Sequence, residues 1–236
     1  MTSLEETIVD WHGIELGLLP DRALRVRASG AVLVADLHLG KGASFRRRGV
    51  PVPEAVTEGD LRRLERLVAG TGTTQLVVLG DLVHDEQAMK PRTLEQFTRW
   101  RADHPGLRVQ LVPGNHDRHA GDLKTLGVEV LPPRHRHGGL DLVHAPADDA
   151  SRPTLGGHVH PCVRLAVPRG GDRLRTPCFW FQGNVGLLPA FGSFTGGKQM
   201  PLGRGVRAWA AGREEVVPLH AAPSPAEVDR GSTTRE

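Results

Sequence analysis

Three short apolar runs in the first half of the chain restrict its fold more than any other feature. Residues 31–35 (AVLVA), 75–79 (QLVVL) and 107–112 (LRVQLV) are strand-sized, rich in β-branched and aliphatic residues, and end abruptly in polar clusters. Buried strands read this way. Between the first two runs, Leu61, Leu64, Leu67 and Val68 recur at helical spacing, and Leu94 and Phe97 begin a second such face before the third. A β-α-β-α-β alternation implies an α/β chain with a parallel or mixed sheet covered by helices. From residue 140 the pattern changes. Residues 140–143, 162–167, 178–181, 206–210 and 216–219 read as strands joined by Gly and Pro turns, with little helix. The second half is therefore expected to be mainly antiparallel and packed against the first. One domain over residues 1–220 is expected, with residues 221–236, rich in Pro, Ser, Thr and Ala, as a mobile tail.

The residues just after each strand are more telling than the strands. After AVLVA comes Asp36-Leu37-His38, and after QLVVLG comes Asp81. After LRVQLVPG comes Asn115-His116-Asp117; after LDLV comes His144, then Gly157-His158-Val159-His160. In open α/β sheets, ligands sit outside the carboxyl ends of the strands. Five segments would thus deliver Asp, His and Asn to one rim. A single His or Asp at a strand end is usually a cap or a solvated loop residue, but five such clusters in metal-ligand residue types are hard to explain that way.

Composition bears on this in two places. The chain has 12 His and no Tyr, an excess that fits a metal site because neutral imidazole is the commonest metal ligand. Of its 30 basic residues only four are Lys, and the Arg excess has two readings: a GC-rich genome, or a surface that meets phosphates. A net charge of +3 permits a polyanionic partner without requiring one. The apolar stretches fall far short of the ~20 residues a membrane span needs. Glu5, Glu6 and Asp10 occupy the place of a secretory leader. Two cysteines, Cys162 and Cys178, cannot staple a domain of this size, so a reduced, cytoplasmic chain is expected.

The order D-x-H, G-D, G-N-H-D, a single His, then G-H-x-H resembles the calcineurin-like metallophosphoesterase superfamily. The resemblance implies a four-layer α/β/β/α sandwich of two mixed β-sheets flanked by helices, with a site for two divalent ions. Carried over block by block, it assigns Asp36, His38 and His160 to one metal and Asn115, His144 and His158 to the other, with Asp81 bridging them. The mixed oxygen and nitrogen set suits Mn²⁺ or Fe better than Mg²⁺ or Ca²⁺, and the lack of Cys ligands argues against structural zinc. His116 would then stabilise the transition state or protonate the leaving oxygen, its ring oriented by Asp117. The other reading makes His116 a ligand. His84 and Asp85 either support the ligands from behind or are plain loop residues.

Residues 36–53 (DLHLGKGASFRRRGVPVP) and 188–197 (LPAFGSFTGG) narrow the likeness to the bacterial ligase-associated metallophosphoesterases, the PdeM-type DNA damage response endonucleases. That family implies a Mn²⁺-dependent phosphodiesterase acting on DNA, single-stranded DNA in particular. It also implies association with an ATP-dependent DNA ligase and a helicase, and no membrane partner. The likeness runs from about residue 12 to about residue 219. Read as residues, Lys41, Arg46, Arg47 and Arg48 are expected on a loop near the site mouth, suited to phosphate contacts; a plain solvated face is the competing reading. With 4% aromatic residues an extended base-stacking platform is not expected, although Phe45 is placed to stack on a base. Phe191 and Phe194 read rather as packing, and Gly192, Gly196 and Gly197 as tight turns beneath the site. Two alternatives stand beside the DNA endonuclease: a small-molecule phosphodiesterase or nucleotide pyrophosphatase with the same metals, and a metal-poor scaffold. Every ligand position holds a competent residue, which argues against the scaffold.

Overall fold

The computed structural model describes residues 4–53, 55–85, 91–119, 122–166 and 173–219. The tail expected at residues 221–236 lies outside them. The three apolar runs form β4 (Val32–Val34), β5 (Gln75–Leu79) and β6 (Arg108–Val112), hydrogen-bonded in parallel, with β7 (Val128–Val130) beyond β6. Their side chains alternate between two cores. Val32, Val34, Leu76 and Val78 face Leu61, Leu64, Leu67 and Val68 of α2 (Val56–Thr71) and Phe97 and Trp100 of α3 (Pro91–Ala102). Leu33, Val77, Leu79 and Val112 face the other way, against Leu142, Leu155, Phe179, Phe181 and Leu188 of the second sheet. Burying each such side chain contributes roughly 1.5–3 kcal/mol, and covering both faces is what a parallel sheet requires.

The first sheet extends further than the apolar runs suggest. β1 (Thr7–Trp11), β2 (Ile14–Leu19) and β3 (Ala23–Val26) join β4 antiparallel, giving seven strands in sequential order. β1 and β2 are joined through His12 and Gly13, both left-handed (φ 56° and 76°), which matches the twist of a two-residue hairpin.

The second sheet comprises β8 (Arg134–His137), β9 (Leu140–Val143), β10 (Thr154–Gly156), β11 (Pro161–Ala166), β12 (Arg173–Gln182), β13 (Val185–Leu187) and β14 (Lys198–Gln199), in the order β14-β11-β12-β13-β10-β9-β8. β15 (Val206–Ala211) pairs with β12, and β16 (Val216–Leu219) with β15. The mainly antiparallel expectation needs correcting at its centre, where β9, β10 and β13 run parallel. That arrangement puts the ends of β9 and β10, and hence His144 and His158, on the same side.

Two mixed sheets flanked by few helices result. α1 (Lys41–Arg47) lies beside α2. Among the described residues, none of the three helices joins the cluster on the outer face of the second sheet, built on Val163, Cys178, Trp180, Leu187 and Met200. No helix of the described residues is long and apolar enough to cross a membrane. Cys162 and Cys178 are buried and free.

Candidate metal centre

All nine residues expected at the rim converge. Asp36 and His38 follow β4, Asp81 follows β5, Asn115–Asp117 follow β6, His144 follows β9, and His158 and His160 follow β10. Five of them hold left-handed backbone: Asp36 (φ 53°), His38 (48°), Asp81 (52°), His158 (68°) and His160 (52°). Only three other non-glycine residues described share this conformation. Such residues cost about 1–3 kcal/mol each and persist where the surroundings over-determine them. The turns let consecutive segments leave the strands sharply and aim side chains across one cleft. Gly80 (φ 79°) helps, because a Cβ there would run into the His144 ring.

The side chains form two groups sharing Asp81. In the first, His160 Nε2 is 3.5 Å from Asp36 Oδ1 and 3.4 Å from His38 Nε2. In the second, His144 Nε2 is 3.1 Å from Asn115 Oδ1, 3.0 Å from His158 Nδ1 and 3.5 Å from Asp81 Oδ2. The same Asp81 oxygen lies 3.9 Å from His38 Nε2. The Asp81 carboxylate therefore stands between the groups.

These residues fit divalent cations on their own chemistry. Asp36 is fully buried; its Oδ2 accepts from the His158 N–H at 2.9 Å, while Oδ1 has no hydrogen-bond partner. A buried, unsatisfied carboxylate oxygen facing imidazole nitrogens is costly without a cation. His144 Nδ1 lies 3.1 Å from the Leu79 carbonyl, so Nδ1 carries the proton and donates while Nε2 presents its lone pair. Burial, reinforced by Lys41 and the neighbouring imidazoles, holds His38 far below the usual imidazole range. It is a neutral donor, as ligation demands.

The pairing expected between His116 and Asp117 needs correcting. Asp117 is buried, and its carboxylate accepts from the backbone N–H groups of Asp81 (2.8 Å), Gly114 (2.8 Å) and Val83 (3.2 Å). It ties the β5 and β6 exits together. The His116 ring is oriented instead by a short hydrogen bond from Nδ1 to the His84 carbonyl, and its backbone N–H donates to Asp81 Oδ1 at 3.0 Å. His116 Nε2 is left toward the cleft, 4.0 Å from Asp81 Oδ2, on a side chain 37% exposed. His84 stacks on His116 (5.0 Å, 20°), lies edge-on to His38, and is pushed down to about 4 by burial and by Lys41. It belongs to the wall of the site. Phe45 stacks near His84 (6.3 Å) and makes a T-shaped contact with Phe194 (5.6 Å), so its ring is already packed in the wall.

The basic segment is a helix, not a loop. Lys41 begins α1, half-buried, lowered by burial and pulled back up by Asp36 and Asp81. Arg46 donates to the carbonyls of Val52 (3.1 Å) and Pro53 (3.0 Å), Arg47 to Ser44 Oγ (3.3 Å), and Arg48 is exposed. Arg46 and Arg47 line a cleft with Thr57, Arg92 and Gln96 that contains none of the nine rim residues.

Residues 188–197 form a wall held by an ionic network without a local sequence signal. Buried Asp60 of α2 accepts from the Ser193 N–H and hydroxyl. Arg63 bridges Asp21, Asp60 and the Phe191 carbonyl while its guanidinium stacks over the Phe191 ring at 4.3 Å. Of the glycines expected to make tight turns, Gly192 leads into the turn at Ser193–Phe194, where the Thr195 hydroxyl donates to its carbonyl at 2.8 Å. None of the three is left-handed; Gly192 and Gly197 leave no room for a Cβ against the carbonyls of Leu37 and His160, and Gly196 faces open space.

Fold and site together define a metal-dependent phosphoesterase. Residues 31–183 match the calcineurin-like phosphoesterase family, and the chain belongs to it. Among solved structures, the nuclease MPE of Pseudomonas putida shares 41% identity, covering 91% of this chain and all of that one, with a TM-score of 0.79. AQ665 from Aquifex aeolicus is 19% identical (59% of this chain, 81% of that one, TM-score 0.40). YfcE, a phosphoesterase from E. coli, is 16% identical (81% and 99%, TM-score 0.42). None of the curated proteins matches.

Proposed function

We propose that this chain is a dinuclear phosphodiesterase that cuts DNA internally, single-stranded DNA by preference, with Mn²⁺ as its metal and Fe as the alternative. The observation that carries the reading is the buried Asp36 Oδ1 without a partner, placed among two donor groups that share Asp81. Asp36, His38 and His160 would hold one ion, Asn115, His144 and His158 the other, and Asp81 both. Ions so held would lower the pKa of a water toward neutrality and would neutralise charge on a phosphoryl group. His116 does the proton work of the chain itself: Nδ1 is fixed by the His84 carbonyl, so a protonated ring presents Nε2–H to the leaving oxygen. Asp117 is a positioning residue.

Choosing DNA rests on the likeness to the Pseudomonas putida nuclease and on residues 36–53 and 188–197. Lys41, Arg47 and Arg48 are proposed to meet phosphates outside the centre. The setting we propose is cytoplasmic DNA repair, beside an ATP-dependent ligase and a helicase. The test is cleavage of matched single- and double-stranded circular DNA, RNA and a small aryl phosphodiester, after EDTA treatment and readdition of Mn²⁺, with Asp81→Ala as control. Cutting of single-stranded circles restored by Mn²⁺ is expected. Hydrolysis of the aryl diester with every nucleic acid left intact would leave a small-molecule phosphodiesterase or nucleotide pyrophosphatase in its place.

A further inference from the structure

Beside His160 lies a cleft of about 210 Å³ lined by Arg22, Cys162, Arg175, Ser193 and Thr195. Its two guanidinium groups are held in unusual ways. Arg22 follows Asp21, and both are left-handed (φ 71° and 61°), a conformation that non-glycine residues keep only when their surroundings impose it. The Arg22 side chain is pinned to the carbonyls of Ala190 (3.0 Å) and Gly192 (3.4 Å). Its nearby carboxylates are taken by others: Asp21 by Arg63 and Arg66, Asp60 by Arg63 and Ser193. Burial, then the charge of Arg63, brings Arg22 down to about 10. Arg175, from β12, donates Nε to Cys162 Sγ at 3.1 Å. Among the described residues neither Arg22 nor Arg175 forms an ion pair. A part-buried guanidinium without a carboxylate is costly, and guanidinium geometry matches a phosphate.

A second cleft, of about 470 Å³ and sharing no lining residue with the first, touches Asn115, His144 and His158 and contains Arg118 and Arg134. There Arg134 is already paired with Asp141 at 3.0 Å. Arg118 there is exposed, so among the described residues of the two clefts only Arg22 is a guanidinium that is both part-buried and without an ion pair.

We propose that the Arg22–Arg175 cleft is a subsite for the phosphate next to the one being cleaved. It rests on the reading of the rim as a phosphodiesterase centre and deepens it, by making the favoured substrate a diester that carries a second phosphate one nucleotide along. A continuing strand meets that requirement, and an isolated aryl diester does not.

The test compares the dinucleotide dTpdT with its 5′-phosphorylated and 3′-phosphorylated forms, in the wild type, Arg175→Ala, Arg175→Lys and Arg22→Lys. One phosphorylated form is expected to be cleaved roughly tenfold better than dTpdT by the wild type. Arg175→Ala abolishes that preference, the lysine variants keep part of it, and cleavage of dTpdT itself stays within about twofold. A second readout needs no metal. Fluorescence anisotropy of a labelled single-stranded oligonucleotide in EDTA is expected to show a shallower salt dependence in Arg175→Ala, by about 0.7 in the log–log slope. Arg175 is exposed, so its replacement leaves the fold intact. A wild type indifferent to either added phosphate overturns the subsite, as does an Arg175→Ala variant that keeps the preference. A wild type that keeps the preference but cuts no DNA strand sinks the DNA reading alone.

Discussion

The basic face of α1 follows directly on the first block of the rim, Asp36–His38, yet the two regions are built on opposite terms. Asp36, His38, Asp81 and His144 are buried, and Asp36, His38 and Asp81 are fixed by backbone held in a left-handed conformation. Their positions follow from two sheets meeting, with Asn115 and His158 of the same rim reaching the surface. Arg47 and Arg48 are exposed, at and just past the end of a helix of seven residues with no side-chain cap at its N-terminus. Geometry is imposed in the first region and merely permitted in the second. Chemistry that needs ångström placement belongs to the rim, whereas long-range attraction to a polyanion tolerates the looseness of α1.

The sharpest way to test that contrast is to remove the group shared by both donor sets. Asp81→Ala is expected to lower phosphodiester hydrolysis by at least about a thousandfold, since the cations that would support the transition state would lose a shared ligand. Metal content, measured by plasma mass spectrometry on the purified protein, should fall with it. Retention of both ions by Asp81→Ala would show that the two groups are complete without it.

Next in size is His116→Ala, with a loss of about 10²–10⁴ in kcat. Here metal content should stay at the wild-type level, because Nδ1 of His116 is engaged with the His84 carbonyl and only Nε2 faces the cleft. A variant that lost an ion would make His116 a ligand, consistent with its ring lying 5.1 Å from that of His38. Asp117→Asn ranks third. An amide in place of a carboxylate that accepts three backbone N–H bonds weakens the join between the β5 and β6 exits. The expected cost is about 1–3 kcal/mol of stability by urea unfolding and a 10- to 100-fold weaker metal affinity by competition with a chelator dye.

How these residues came to be legible differs from one to the next. Asp36, Asp81, Asn115 and His144 could be read because each follows a strand that announces itself by composition, and strand ends are where a sheet delivers side chains. Asp117 was legible as a member of the site but not in its role. Neighbours in sequence on a tight turn point in different directions, and adjacency says nothing about which atom reaches which. β1–β3 were hidden by a hairpin that turns on His12-Gly13 in place of the usual Asn-Gly. The α1 helix was hidden by Gly42 and Ser44 within a seven-residue stretch. Arg22, Asp60 and Arg63 left no trace, because their partners at Ala190, Ser193 and Phe191 lie 128 to 168 positions away. Only folding brings them together, and on α2 an Asp and an Arg three apart look like any solvated face.

The smallest effects separate the arginines at the end of α1, Arg46 to Arg48, from each other. Arg46 closes the turn at Val52 and Pro53, so Arg46→Ala is expected to lower stability by about 1 kcal/mol and leave oligonucleotide affinity unchanged. Arg47→Ala with Arg48→Ala should do the reverse. Thermal unfolding stays put, single-stranded oligonucleotide affinity in EDTA falls by about two- to fivefold, and the log–log salt slope drops by about 0.7 for each phosphate that is no longer neutralised. Hydrolysis of a small aryl phosphodiester should not change in either protein. If the double variant kept the full salt slope, α1 would be a solvated face. Binding of the strand would then have to come from guanidinium groups fixed nearer the rim, which is where burial and missing carboxylate partners already set Arg22 apart from the α1 arginines.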